Sequence, residues 1–399
     1  MQKISKKILV ISFILVLLVS ACTAVQSTPA LETEPVEPTT EQSQVEQPTV
    51  IEPTEMDATQ SDPTQSDPTL VFIDGTGREI TLPALPERIV VAGKATPYVI
   101  DTIYLFPDAA QKLAALEVRG FDTKEFLELV DPDVNVKNML ERDAGPEQIA
   151  PLQPDLVIVK NISLGKLGAA LEEISIPVMG MNLETPEFFY EDIQALGKVF
   201  GNSDRADEII AYYQQIEAQV AEMMSGLQDS ERPRVLVLQY TEDGGEISFK
   251  VPPASYLQTT MVQNAGGNPI WLDVDGGSDG WIQVGLEQIA VWNPDVVFVV
   301  NYGGDSVETA QQLTESPTWA GLLAVENGQV YGFPADYASW DLIDPRWILG
   351  QQWLATILQP ERAAEINLLS QVQSFYQELY GLSEAQIQES VIPRLDEIK

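Results

Sequence analysis

Histidine is absent from all 399 residues, and cysteine occurs once, at Cys22. Without histidine there is no Ser-His-Asp or Cys-His nucleophile pair and no histidine ligand for zinc or haem, and a lone thiol closes no intrachain disulfide. Positive charge is also scarce: 22 Lys and Arg stand against 60 Asp and Glu, a net charge of -38. A surface of that sign repels phosphate backbones and lacks the basic footprint on which nucleic-acid binding depends. What remains is a chain that is 44% hydrophobic and 21% charged. It is too apolar for disorder and too long for one ordinary core, so two packed units are expected.

Lys3, Lys6 and Lys7 precede an apolar run from Ile8 to Val19 that is too short to span a bilayer, the form of an export signal. The run ends in Val19-Ser20-Ala21-Cys22, which resembles the lipobox of bacterial lipoproteins. That resemblance implies removal of residues 1–21 and lipidation of Cys22, against the alternative of a signal cleaved elsewhere. Residues 23–69 hold no aromatic, glycine or basic residue, but seven prolines and ten acidic side chains. Such a segment cannot bury enough apolar surface to offset its ordering entropy. Residues 22–69 therefore read as an anchored, extended tether with a reach on the order of 100 Å. Beyond Thr69 there are 19 basic and 50 acidic residues, so the folded part is itself acidic.

From residue 70 onward, short apolar runs alternate with helical stretches, as at Ile89–Val91, Leu156–Val159, Val235–Leu238 and Val296–Val300. Continuous apolar runs of this length suit parallel strands covered on both faces, which makes the chain an α/β protein. Ala206, Ile209, Ile210, Tyr213, Ile216 and Val220 follow helical spacing, with Ser203 or Asp204 as N-cap and Gly226 near the end. The segments Glu147–Asn161 and Glu287–Asn301 repeat each other, sharing Glu-Gln-Ile-Ala, a later Pro-Asp and the closing Asn. Each reads as a short helix opening on Glu, a turn, a buried strand and a loop, so two similar lobes are expected. The boundaries are 70–202 for the first lobe, 203–228 for a helix between the lobes and 229–399 for the second lobe with C-terminal helices.

In open α/β sheets ligands sit beyond the carboxyl ends of the strands, so facing lobes would place a cleft between them. Asp74-Gly-Thr-Gly-Arg78, Pro86-Glu-Arg-Ile-Val90, Ala265-Gly-Gly-Asn268 and Gly328-Gln-Val-Tyr331 join the repeat in a combined pattern. With it, residues 70–399 resemble the helical-backbone (class III) bacterial solute-binding proteins that feed iron-siderophore, haem and cobalamin ABC importers. The resemblance implies two Rossmann-like lobes joined by a long backbone helix with the ligand between them. It also implies a monomer without catalysis or resident cofactor, held at the outer face of the membrane, that docks on an ABC permease dimer served by a cytoplasmic ATPase. Glu147 and Glu287 match the family's docking glutamates. Without the resemblance, each is a helix-start residue favoured by the dipole.

Strand-end loops nominate Lys94, Thr96, Arg142, Lys160 and Asn161 from the first lobe as ligand contacts. Tyr240, Lys250, Trp281, Asn301, Tyr302, Tyr337 and Trp340 are nominated from the second, while Trp271 reads as core. A cationic, aromatic cleft on an acidic body suits an anionic or catecholate ferric chelate. Gly93-Lys94-Ala95-Thr96-Pro97 also resembles an anion seat at a helix start, which keeps molybdate or tungstate as an alternative, and cobalamin fits the aromatics. Tyrosine-ligated haem stays open. Two other classes remain: a sensor or adhesion module without transport, and an anchored hydrolase using Asp336, Asp341 and Asp344, which otherwise read as a solvated loop.

Overall fold

The opening motif Asp74–Arg78 is a turn built around one carboxylate. Asp74 Oδ1 accepts from the amides of Thr76 and Arg78, and Oδ2 accepts from the Arg78 guanidinium and the amide of Gly180. The turn closes an antiparallel hairpin of β1 (Leu70–Ile73) and β2 (Glu79–Leu82) and ties it to the first sheet. These coordinates are a computed structural model describing residues 69–274, 280–395 and 398; the leader, Cys22 and the tether through residue 68 lie outside the described residues.

The first sheet contains β3 (Ile89–Val91), β4 (Leu113–Leu116), β5 (Asn138–Met139), β6 (Leu156–Lys160) and β7 (Val178–Met181) in the order β5-β4-β3-β6-β7. All its pairings are parallel. Every residue of β3, β6 and β7 is buried, as strands covered on both faces require. The second sheet contains β8 (Arg234–Asp243), β9 (Glu246–Val251), β10 (Asn268–Pro269), β11 (Ile282–Val284), β12 (Val296–Val300) and β13 (Val330–Gly332). Its order is β11-β9-β8-β12-β13, with β10 also paired to β8.

The second sheet departs from the all-parallel expectation at one edge. Strands β8 and β9 form an antiparallel hairpin in which Asp243 faces Glu246, and β11 runs antiparallel to β9. The turn residues Gly244 and Gly245 have φ of 59° and 86°, the paired positive angles of a two-residue hairpin turn.

The repeated segments fold alike. Asp155 accepts from the backbone amide of Arg88 at the start of the first lobe's β3, and Asp295 from that of Arg234 at the start of β8. The Arg88 guanidinium donates to the carbonyl of Leu152, and that of Arg234 to the carbonyls of Trp292 and Asn293. Each arginine thereby clamps the end of the short helical segment that begins near Glu147 or Glu287. The duplicated Pro-Asp and the arginine that opens each lobe's first strand hold that segment against its sheet.

The long helix spans Ser203–Met223, 21 residues or about 32 Å. Its N-cap is Asn202, one residue before the expected position, with its side chain accepting from the Arg205 amide. Gly226 follows the end with φ of 71°. Ala206, Ile209, Ile210, Tyr213, Ile216 and Val220 are its buried face, and the Tyr213 hydroxyl donates to the Pro345 carbonyl. Arg205 donates to the carbonyls of Glu378 and Leu379, so the helix Leu368–Tyr380 packs back against the long helix. Both sheets lie in one compact unit.

Asp192, on the helix Pro186–Phe200, supports the hairpin turn from below. Its Oδ2 accepts from the amides of Asn182 and Leu183 at 2.8 Å each, and its Oδ1 has no hydrogen-bond partner. A Cβ on Gly75 would sit 1.7 Å from that oxygen, so only glycine fits the contact. Burial pushes the Asp192 carboxyl up to about 8, against the pull of the Leu183 and Asn182 amides and the Lys160 charge. The folded chain thus keeps a proton that the unfolded chain has lost above about pH 4. Its stabilising contribution is complete below that pH and is lost as pH rises toward about 8, by a few kcal/mol. Asp192→Asn should therefore flatten the fall in melting temperature between pH 5 and 8. An unchanged slope would show that the carboxylate is ionised in the fold.

Candidate functional site

A cavity of about 470 Å3 opens between the lobes beyond the carboxyl ends of their strands. From the first lobe it takes Pro97, Tyr98 and Asp101 on the helix after β3, and Gly120 and Thr123 after β4. From the second it takes Asn301–Val307 after β12, except Gly303, and residues between Phe333 and Leu342 after β13, with Arg394 at its edge. Another cavity, of about 550 Å3, is a groove on the second lobe between the helix Ser306–Glu315, β13 and the helix Trp347–Leu358. Residues of both lobes converge in the first, which makes it the ligand site.

The floor is ionic. The fully buried Arg346 bonds Asp336 through Nε at 2.8 Å, and Asp101 and Asp344 through Nη1 at 2.7 Å each. Its Nε also donates to the Tyr376 hydroxyl, which in turn donates to Asp336 Oδ2, and the guanidinium lies 4.4 Å from the centre of the Phe126 ring. Asp101 belongs to the first lobe and Arg346 to the second, so the network crosses the cleft. Three carboxylates share one cation, the Asp101 and Asp344 side chains are hydrogen-bonded to each other, and Arg346 Nη2 has no hydrogen-bond partner among the described residues. Burial drives the Asp101 carboxyl well above its ordinary range; Arg346 pulls it back and Asp344 pushes it up again.

This arrangement corrects the reading of Asp336, Asp341 and Asp344 as a solvated loop. All three are buried. Their spacing around Trp340 and Arg346 is that of a tight turn whose carboxylates accept from Tyr337, Ala338, Ser339, Trp340 and Arg346. Asp341 also receives the hydroxyl of Tyr302 and the side-chain amide of Gln258. Burial raises its carboxyl, and the bonds from Ser339, Tyr302 and Gln258 oppose the rise.

The nominated ligand residues divide. Asn301, Tyr302 and Tyr337 line the cavity, and Trp281 stands behind Tyr302 with its ring edge-on at 6.1 Å. Trp340 is fully buried core, its Nε1 donating to Asp336, and is not a cleft face. Thr96 is buried and its hydroxyl is spent on the Glu117 carbonyl. Lys160 is 1% exposed and is paired with Glu184 at 2.6 Å, so it is an internal ion pair and not a free cation. Asn161 bonds Asn182 beside it. Tyr240 and Lys250 sit on the β8–β9 ribbon and not on strand-end loops, because the hairpin extends both strands past the cleft. Lys94 and Arg142 are exposed and outside the cavity walls.

Two amides of the anion seat are taken by the protein. The Gly93 amide donates to Glu117 Oε2, the Lys94 amide donates to Ser163 Oγ, and Pro97 has no amide to offer. Glu117 is fully buried and also holds Arg119 and the Asp143 amide.

Sequence reading missed Tyr98, Asp101 and Asp305 as cavity walls and Arg346 as the bridge. The missed signal for Tyr98 and Asp305 was the start of the helices after β3 and β12, which begin beyond the carboxyl ends of those strands. Glu147 and Glu287 are both exposed in the first turn of a short helix after a glycine N-cap, and neither forms an ion pair with a described residue.

Residues 89–337 match the family described as periplasmic binding protein. The chain belongs to the periplasmic binding protein family. Its structural neighbours are class III members, so the two-lobed helical-backbone architecture is shared. The molybdate-binding protein of Haemophilus influenzae is 23% identical over 342 residues, 78% of this chain and 91% of that protein. The Fe(3+)-citrate-binding protein of Bacillus subtilis is 22% identical over 268 residues, 65% of this chain and 76% of that protein. A periplasmic solute-binding protein of Veillonella parvula superposes with a TM-score of 0.66 at 22% identity, covering 83% of this chain and 99% of the other. As a member of this family the chain is a solute-binding protein of ABC transport, and its place is extracytoplasmic.

Proposed function

We propose that this protein is the lipid-anchored receptor of an ABC importer, capturing a ferric chelate in the interlobe cavity and presenting it to a permease dimer. The observation that carries the reading is a cavity walled by the strand-end loops of two lobes, each of which also bears an exposed, unpaired glutamate at the start of the same repeated segment. The cavity is of the size that takes a small molecule, and one relative carries an iron-chelate name. The aromatic walls Tyr98, Tyr302 and Tyr337, with Trp281 behind, offer the flat surfaces a chelate needs.

Molybdate is the second reading, because the Haemophilus influenzae relative is named for it. The occupied amides of Gly93 and Lys94 speak against a bare oxyanion at that helix start. The buried carboxylates likewise favour binding over hydrolysis, since each of Asp336, Asp341 and Asp344 is held by structural donors.

Labelled fatty acid should enter the wild-type chain and be absent from Cys22→Ser. The wild-type protein, extracted in mild detergent and taken to native mass spectrometry, should carry a small adduct lost on unfolding. Unchanged labelling in the variant would overturn the anchor, and a bare wild-type chain after growth in iron-poor medium would count against capture.

A further inference from the structure

We propose that Glu125 and Arg394 form a gate at the edge of the cavity, an ion pair made from lobe to lobe beside the Tyr337 ring that sets how fast a ligand enters and leaves. The inference names how the cavity is regulated, and it rests on the reading of that cavity as the ligand site. Glu125 belongs to the first-lobe helix Phe121–Val130, whose Thr123 is a cavity wall. Arg394, itself a lining residue, ends the last turn of the second lobe, Ile392–Arg394. Their carboxylate and guanidinium are in contact.

The first support is where the pair stands. The walls Thr123, Asp336 and Tyr337 are buried, while the Glu125 and Arg394 side chains are 33% and 31% exposed. The pair therefore lies where the cavity meets water. An ion pair that water reaches is weak, opens readily and is screened by salt. The buried Arg346 network holds the lobes, and the exposed pair can break while they stay joined.

The second support is how Arg394 holds the wall. Its guanidinium lies 4.2 Å from the centre of the Tyr337 ring, and its Nη1 donates to the Asp336 carbonyl at 3.4 Å. The Tyr337 hydroxyl donates to the Ser390 carbonyl of the same C-terminal segment at 2.9 Å, and the ring lies 5.4 Å from that of Phe126, the neighbour of Glu125. A planar guanidinium stacks on a ring and pairs with a carboxylate at once, which an ammonium does not. Ile387, Val391 and Leu395 are fully buried and root the segment, so opening is a rotation of the Arg394 side chain that leaves the backbone in place. Arg394 is thus a positioning residue for the Tyr337 wall.

The test uses the full chain in mild detergent and has one arm without ligand. Ala338→Cys places a thiol on the cavity wall, and the chain carrying only Cys22 gives the background. Its rate of modification by neutral iodoacetamide should rise about threefold or more when Glu125→Gln or Arg394→Gln is added. Raising salt from about 0.05 to 0.5 M should speed labelling of the intact gate and leave the two variants unchanged. Arg394→Lys should fall between, and Glu125→Arg with Arg394→Glu should recover part of the slow rate. Melting temperatures should stay within a few degrees, and if one variant melts far lower, the salt response of the intact gate decides.

The second arm follows quenching of tryptophan emission by ferric citrate and by a ferric trishydroxamate in stopped flow. For the chelate that binds, Glu125→Gln should raise association and dissociation together, about fivefold each, and keep the dissociation constant within about twofold. Labelling that neither substitution nor salt changes overturns the gate. A rise in dissociation alone, with affinity lost to match, makes Arg394 a ligand contact and also overturns it. Should the thiol respond as expected while neither chelate binds, the gate stands and the ferric-chelate reading falls.

Discussion

Arg346→Met should destabilise the folded unit by about 3–5 kcal/mol, the usual cost of removing one partner from a buried ionic network. Arg346 is the shared cation of Asp101, Asp336 and Asp344, all of them buried. Methionine matches much of its volume and leaves three carboxyls facing one another, each of which must take a proton or find water. The loss should therefore be larger at pH 8 than at pH 5, because protonation relieves the repulsion. Arg346→Lys should recover part of the stability, since an ammonium keeps the charge but cannot hold the Tyr376 hydroxyl and two carboxylates in one plane. Denaturant unfolding of the three proteins at the two pH values measures this. A loss below 1 kcal/mol for methionine would mean that water or protons already neutralise the cluster and that the lobes do not depend on it.

The bridge also constrains motion. Asp101 and the Tyr380 hydroxyl, which donates to the Asp101 carbonyl, fasten the first lobe's opening helix to the second lobe and its C-terminal helix. With a continuous helix of 21 residues between the lobes as well, the lobes are joined in two places, and small-angle scattering with and without ligand should show little change in radius.

What was legible in the sequence was periodic or repeated. The buried strands β6 and β12 were visible because nearly every residue is apolar, and their equivalence because Glu, Pro-Asp and Asn recur at the same spacing. The long helix was visible in its apolar stripe, while its cap at Asn202 was displaced by one residue because Asn, Ser and Asp in succession all suit an N-cap. The β8–β9 hairpin was missed although Asp243-Gly244-Gly245-Glu246 carries its signal, because the apolar run before it suggested a buried parallel strand.

The site was less legible for a different reason. Strand-end position nominates Lys160 and Trp340 as cleft residues, yet their burial is decided by the side chains around them. Lys160 finds Glu184 from a separate loop, 24 residues away, and Trp340 finds Asp336 inside its own turn. Arg346 and Asp101 are 245 residues apart, and no local pattern announces that pairing.

The central claim, that this chain hands its ligand to a permease through two equivalent glutamates, is tested most directly by reversing both. Glu147 and Glu287 are exposed, lie in the first turns of equivalent helices and are not among the residues that line the cavity. Surface charge changes of this kind usually alter stability by no more than about 0.5 kcal/mol, with a small added cost from placing a cation at a helix start. Charge complementarity across a docking face chiefly orients encounter and fixes partner choice. Uptake of radiolabelled ferric chelate by cells carrying Glu147→Arg with Glu287→Arg should therefore fall to the level of a deletion strain. The purified variant should keep its dissociation constant within about twofold and its melting temperature within a few degrees. Uptake at the wild-type rate, or loss of ligand binding in place of loss of uptake, would contradict the account.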